Sequence, residues 1–237
     1  LVMLRGIKEF YQRLGALDKT MEHVCKEEGF RASMCALTRC TGLSLAESLV
    51  HISGEREGVN ALIGLSNTFF SYSWTGTRLA DMLYAMEREI VALEAADGVT
   101  RFVWMDMFCA SQNLLAGVFR DDIIHPKGSA GHAARKEDTN HIFDDAIDAV
   151  GKGEILFYCS PLTGEWKAPP HPFLLHDRGE PSEEWMRMGP VAATRAWCVF
   201  EMAKTLANGC KLHVVLSRED VDGFERLLTE RFDEIAS

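Results

Sequence analysis

The chain is 237 residues long, 47% apolar and 25% charged, and 35 acidic against 25 basic side chains leave a formal charge of −10. That length and balance fit a globular protein able to bury one sizeable core with a smaller extension. The acidic excess argues against nucleic acid as a partner, and apolar stretches such as 155–158 and 212–216 fall far short of the roughly 20 residues that span a bilayer.

Seven cysteines lie at 25, 35, 40, 109, 159, 198 and 210 with no CxxC pair. Neither a disulfide framework nor a zinc module is suggested, and a reducing, cytoplasmic compartment fits best. The first residue is Leu and no apolar signal-peptide core follows, so the sequence reads as a fragment or a processed chain.

In chain order, apolar residues at Ile7, Phe10, Tyr11, Leu14, Leu17, Met21 and Val24 keep the threes-and-fours spacing of one helical face. A short helix is expected over Leu45 to Ile52 and a charged turn over Gly54 to Gly58. Residues 1–61 thus form a helical extension, packed on the main domain or bridging protomers, and residues 62–237 form that main domain. Thr68 to Ser73 and Thr100 to Met107 are rich in aromatic and β-branched residues and predict buried strands. Between them Leu79, Met82, Leu83, Met86, Ile90 and Leu93 predict a helix. A polar loop is expected from Cys109 to Asp138, then a helix through Ile142, Phe143, Ala146, Ile147 and Val150 with Thr139 or Asn140 as cap.

A third strand is expected at Glu154 to Cys159. The stretch from Ser160 to Pro190 carries six of the seven prolines and predicts a long surface excursion. Helix resumes at Thr194 and stops at Gly209, followed by a strand over Lys211 to Leu216. Ser217 with Asp220 has a capping-box pattern, and Val221, Phe224, Leu227, Leu228, Phe232 and Ile235 give the last helix its stripe. Strands separated by helices imply an α/β fold, a parallel sheet of four to five strands, with ligands expected after residues 73, 107, 159 and 216.

Several catalytic motifs are missing. There is no GxxxxGK[ST] phosphate loop and no GxSxG, and the one GxG, Gly151 to Gly153, precedes a strand. The nearest histidine pairs, His125 with His132 and His171 with His176, fall in predicted loops without HExxH spacing, so no metal site is expected. The segment Thr194-Arg195-Ala196-Trp197-Cys198-Val199-Phe200-Glu201 remains. Trp197 and Glu201 are four apart on a helix, which sets an aromatic ring beside a carboxylate. Such a pair suits stacking on a flat ring next to developing positive charge. On spacing alone, a core Trp197 with Glu201 paired to Arg195, Lys204 or solvent is the more ordinary account.

The segments FFSYSWTGTRLADMLYAME, RFVWMDMFCASQN and TRAWCVFE, in the expected order over Leu62 to Leu216, resemble the Toll/interleukin receptor (TIR) superfamily. The resemblance is narrower to TIR-like domains of protists, algae and fungi. It implies a flavodoxin-like sheet and, where such domains are enzymes, a catalytic glutamate at the position of Glu201 that contacts the nicotinamide-side ribose of NAD. By the same resemblance Ser71 and Tyr72, with Trp74 in the following loop, match the end of the first strand. Asp106, Phe108 and Gln112 match the region after the second, and Trp197 and Cys198 flank the glutamate. All eight are candidate substrate-binding residues. Departures from the pattern are the length of the 160–190 excursion, the lack of a fifth strand before Ser237 and the lack of the usual receptor BB-loop pattern.

The expected function is cleavage of the N-glycosidic bond of NAD with release of nicotinamide, in a signalling or defence context, by a homo-oligomer. NAD is then substrate, and no cofactor or metal is needed. The alternative is a non-catalytic signalling module that self-associates or binds proteins or a nucleotide. A third idea makes Cys198 a nucleophile with His213 or His176 as base.

Overall fold

Four short strands account for the sheet in the computed structural model, which describes residues 2–26, 35–38, 43–53, 64–74, 76–110, 112, 141–160 and 191–235. They are β1 (Thr68–Ser71), β2 (Val103–Trp104), β3 (Glu154–Tyr158) and β4 (Lys211–Val215), in the order β2-β1-β3-β4 with every pairing parallel. The central strands β1 and β3 are buried along their whole length. Both of their faces carry apolar side chains, as a parallel sheet covered on two sides requires. Phe70, Leu156 and Tyr158 feed one core, and Phe69 and Ile155 feed another.

The first face is covered by α4 (Leu79–Asp97), whose Leu79, Met82, Leu83, Met86 and Ile90 are buried at helical spacing. Gly98, with φ +72°, ends it by donating its N–H to the Glu94 carbonyl at 2.9 Å. The same core takes in Leu4 and Tyr11 from α1 (Val2–Arg13) and Met21 and Val24 from α2 (Met21–Lys26). Within the described residues, the N-terminal helices therefore share the sheet's own core. Lys8 fixes α1 on α4, with Nζ 2.6 Å from Glu87 and 3.5 Å from the centroid of the Tyr84 ring.

The single helix expected through Ile7 to Val24 is broken in two. Gly15 takes φ +65° after α1, and the chain then runs beside the start of α4, where the Met21 N–H donates to the Thr77 carbonyl at 2.8 Å. Apolar spacing survives this break because both pieces face one core. Next comes α3 (Leu45–Ser53), one residue longer than expected. Its start is a reciprocal capping box: Ser44 Oγ accepts the Glu47 N–H at 3.1 Å and Glu47 Oε2 accepts the Ser44 N–H at 2.8 Å.

The strands are shorter than their apolar runs suggest. The first stops at Ser71, and of residues 100–107 only Val103 and Trp104 pair. Before β2, Asn67 holds the chain by donating to the Thr100 carbonyl at 2.8 Å and accepting the Phe102 N–H at 3.0 Å. After it the chain turns into the four-residue α5 (Asp106–Cys109), within what reads as strand and loop. The third strand ends at Tyr158 and the fourth at Val215.

The opposite face carries the helix α6 (141–150), the turn α7 (Val191–Thr194) and α8 (Ala196–Ala207). The helix expected from Thr194 is interrupted at Arg195, which is extended, and it stops as expected at Gly209 with φ +80°. The last helix, α9 (Arg218–Ile235), is capped by Ser217, whose Oγ accepts the Asp220 N–H at 3.1 Å. Thr139, Asn140, His125, His132, His171, His176 and the excursion beyond Ser160 lie outside the described residues. Among the described residues, no helix is long and apolar enough to cross a membrane.

Candidate functional site

In an open parallel sheet, strands that send their crossovers to opposite faces leave a crevice at their carboxyl ends. Here β1 leads into α4 on one face and β3 leads towards α8 on the other. The side of α8 turned to the sheet carries Cys198, Glu201 and Thr205, all buried. Glu201 is thus an acid on an otherwise apolar or small-residue seam. It is 5% exposed, and Ser71 at the end of β1 donates its hydroxyl to Glu201 Oε2 at 2.6 Å.

Burial pushes the Glu201 carboxyl up to about 8, and the negative charge of Asp106 adds to that direction. The bonds from Ser71 and Trp197 pull the other way without overcoming it. Lys204, one of the partners that spacing offered, turns instead to Asp144 at 3.1 Å and Asp148 at 3.5 Å. The site therefore holds a carboxyl that is largely protonated at neutral pH and stays ready to ionise when positive charge approaches it.

Asp106 is the second hub. Its Oδ1 accepts the Tyr72 hydroxyl at 2.6 Å and the Met107 N–H at 2.7 Å, and its Oδ2 accepts the Trp74 indole N–H at 3.3 Å. Both aromatic side chains named after β1 are therefore oriented by one carboxylate. Tyr72 is buried and belongs to the core under α4, whereas Trp74 is partly exposed. Gln112 donates to the carbonyls of Asp106 at 3.0 Å and Ala110 at 3.4 Å, so its amide nitrogen braces α5.

The remaining candidates divide. Cys198 lies in the cluster, donating its thiol to the Tyr72 carbonyl at 3.5 Å, and burial pushes it up to about 12. A thiol so disposed is no nucleophile at neutral pH. His213 is not its base, since it bonds Glu154 at 2.7 Å and approaches Glu89 of α4, on the other face of the sheet. Trp197 stands at the outer side of α8, 38% exposed, with its ring edge-to-face on Phe143 at 4.7 Å and near Phe200 at 5.8 Å. Phe143, missed as a site residue, thus fixes the tryptophan that flanks Glu201. Phe108 joins the core under α1 and α4 and lines a separate cavity.

That cavity, about 370 Å³, lies between α1, α3, α4, β2 and α5, and its described lining includes none of Glu201, Ser71, Tyr72 or Trp74. Among the described residues, no group of three or more His, Cys, Asp and Glu is placed to hold a metal ion. Comparison of the chain with known protein families, curated proteins and solved structures finds no match.

Proposed function

We propose that this chain is a TIR-like module that cleaves the N-glycosidic bond of NAD and releases nicotinamide, with Glu201 as the catalytic residue. The observation that carries the proposal is the burial of Glu201 against Ser71 at the carboxyl end of β1, with no cationic side chain bonded to it among the described residues. The four-stranded parallel sheet supports it as well, being consistent with a flavodoxin-like arrangement.

In this mechanism the bond from the ribose anomeric carbon to the pyridinium nitrogen breaks, and its electron pair leaves with neutral nicotinamide. The ribose is left as an oxocarbenium-like cation. Approach of the cationic substrate favours ionisation of Glu201, whose carboxylate then stabilises positive charge at the anomeric carbon and accepts a ribose hydroxyl. Ser71 positions that carboxylate. Trp74, held by Asp106, supplies an aromatic surface for a base. Water, an internal nitrogen or a second base captures the cation, giving hydrolysis, cyclisation or exchange from one common step.

The test is release of nicotinamide from NAD by purified protein over a wide range of high protein concentrations, since a homo-oligomer is part of the proposal. Wild type is expected to release it and Glu201→Gln to do so at least about 100-fold more slowly, the scale of losing a principal electrostatic stabiliser. Absence of release by wild type at every concentration overturns the catalytic function. In that outcome self-association without catalysis becomes the function. One observation favours this alternative: Trp197, Val199, Phe200 and Leu206 on α8 are each 38% to 45% exposed.

A further inference from the structure

We infer that the cavity beside β2 is a binding site, distinct from the Glu201 cluster, for a neutral and largely apolar small molecule. Its volume of about 370 Å³ lies within the range of about 300–1,000 Å³ typical of small-molecule pockets. Leu4, Leu49, Met86, Ile90, Trp104 and Phe108 line it, drawn from five separate elements. Such walls favour apolar area and offer an ion no compensation for its lost water.

Arg101 also lines the cavity, but its side chain is only 4% exposed and its Nε has no surface open to a ligand. The rest of the guanidinium is committed, Nη2 to Asp97 at 2.5 Å and Nη1 to the Val99 carbonyl at 3.3 Å. The cavity therefore selects by shape and apolar area.

The surrounding charge decides against an anion. Asp97 already neutralises Arg101, Glu154 approaches it at 3.7 Å, Glu94 accepts the Arg101 backbone N–H at 2.8 Å, and Glu47 stands in the wall. A carboxylate or sulfonate entering here meets carboxylates of its own sign. The ligand is therefore neutral.

The probe is prodan, a neutral naphthyl ketone, titrated into the full chain and followed by the blue shift of its emission. We expect saturable one-to-one binding. Val50→Trp, at a wall position that is 51% exposed, and Ala46→Phe, inside the lining, are each expected to weaken it at least tenfold. Far-UV circular dichroism and urea midpoints establish that each variant is folded, and the exposed Val50 position tolerates change even where Ala46→Phe does not. Anionic 1-anilinonaphthalene-8-sulfonate is expected to bind more weakly than prodan. The inference is overturned by prodan that does not saturate, by unchanged affinity in folded Val50→Trp, or by tighter binding of the sulfonate. Nicotinamide release plays no part in these measurements, so the two sites stand or fall separately.

Discussion

At the residue scale, Glu201 links acidity to stability with a definite sign. Its folded value, raised to about 8 from an ordinary 4.5 by burial, means that the native state keeps a proton which the unfolded chain gives up. Its contribution is fully present below about pH 4.5 and is lost as pH rises through about 8. Glu201→Gln removes the penalty, because glutamine never has to hold a charge there. Urea unfolding of the two proteins is expected to give similar stabilities near pH 5 and a Gln variant more stable by a few kcal/mol near pH 9. A difference independent of pH would show that Glu201 is not buried as a neutral acid. Ser71→Ala, which deletes a bond favouring the charged form, is expected to raise the Glu201 value further. If Glu201 is catalytic, the rising limb of kcat/KM for nicotinamide release moves to higher pH in that variant.

This scale also shows how far sequence reached. The Trp197–Glu201 spacing marks the helix and its acid, and the resemblance alone set the strand-end residues Ser71 and Tyr72 beside Glu201 as candidates. What no spacing reveals is that Ser71 binds Glu201 across 130 residues of chain, or that Asp106 orients Tyr72 and Trp74 together. Those contacts depend on the crossover geometry. Phe108 shows the converse: two residues on from Asp106, it points to the opposite side of the short helix and lines the separate cavity.

At the element scale, ends are set by side chains that a periodicity count does not weigh. The last helix begins where Ser217 accepts the Asp220 N–H, and the Ser217 backbone N–H in turn donates to Ser160 Oγ at 2.6 Å. Ser217→Ala is expected to cost about 1 kcal/mol, read from the shift of the urea midpoint at unchanged m value. No shift would mean that water caps the helix equally well. Hydrophobic periodicity located α4 and α8 because each lays one face on the sheet, and it located α9 although Phe224 of its stripe is 49% exposed. It overran β1 and β2 because large apolar residues beyond a strand end, such as Tyr72 and Met107, are buried for other reasons. It joined α1 to α2 because Gly15 breaks the helix without disturbing which face is apolar.

At the scale of the whole molecule, the helical extension and the sheet share one core across the described residues. Leu4, Tyr11, Ala16, Met21 and Val24 are buried in the same core as Phe70, Leu156 and Tyr158. Each large apolar side chain so buried contributes about 1.5–3 kcal/mol before ordering entropy is counted. Removing residues 1–26 is expected to lower the urea midpoint and to expose apolar surface to a dye. A truncated chain with an unchanged midpoint would show the extension to be an independent appendage.

The four residues of α5 stand between two rooms. On one side Asp106 holds the rings of Tyr72 and Trp74; on the other Phe108 and Cys109 form part of the cavity wall. A single turn has no internal joint, so tilting it to widen one room must swing the carboxylate in the other. Strain between Phe108→Ala and Tyr72→Phe should accordingly be felt jointly, as a double-mutant cycle that does not sum.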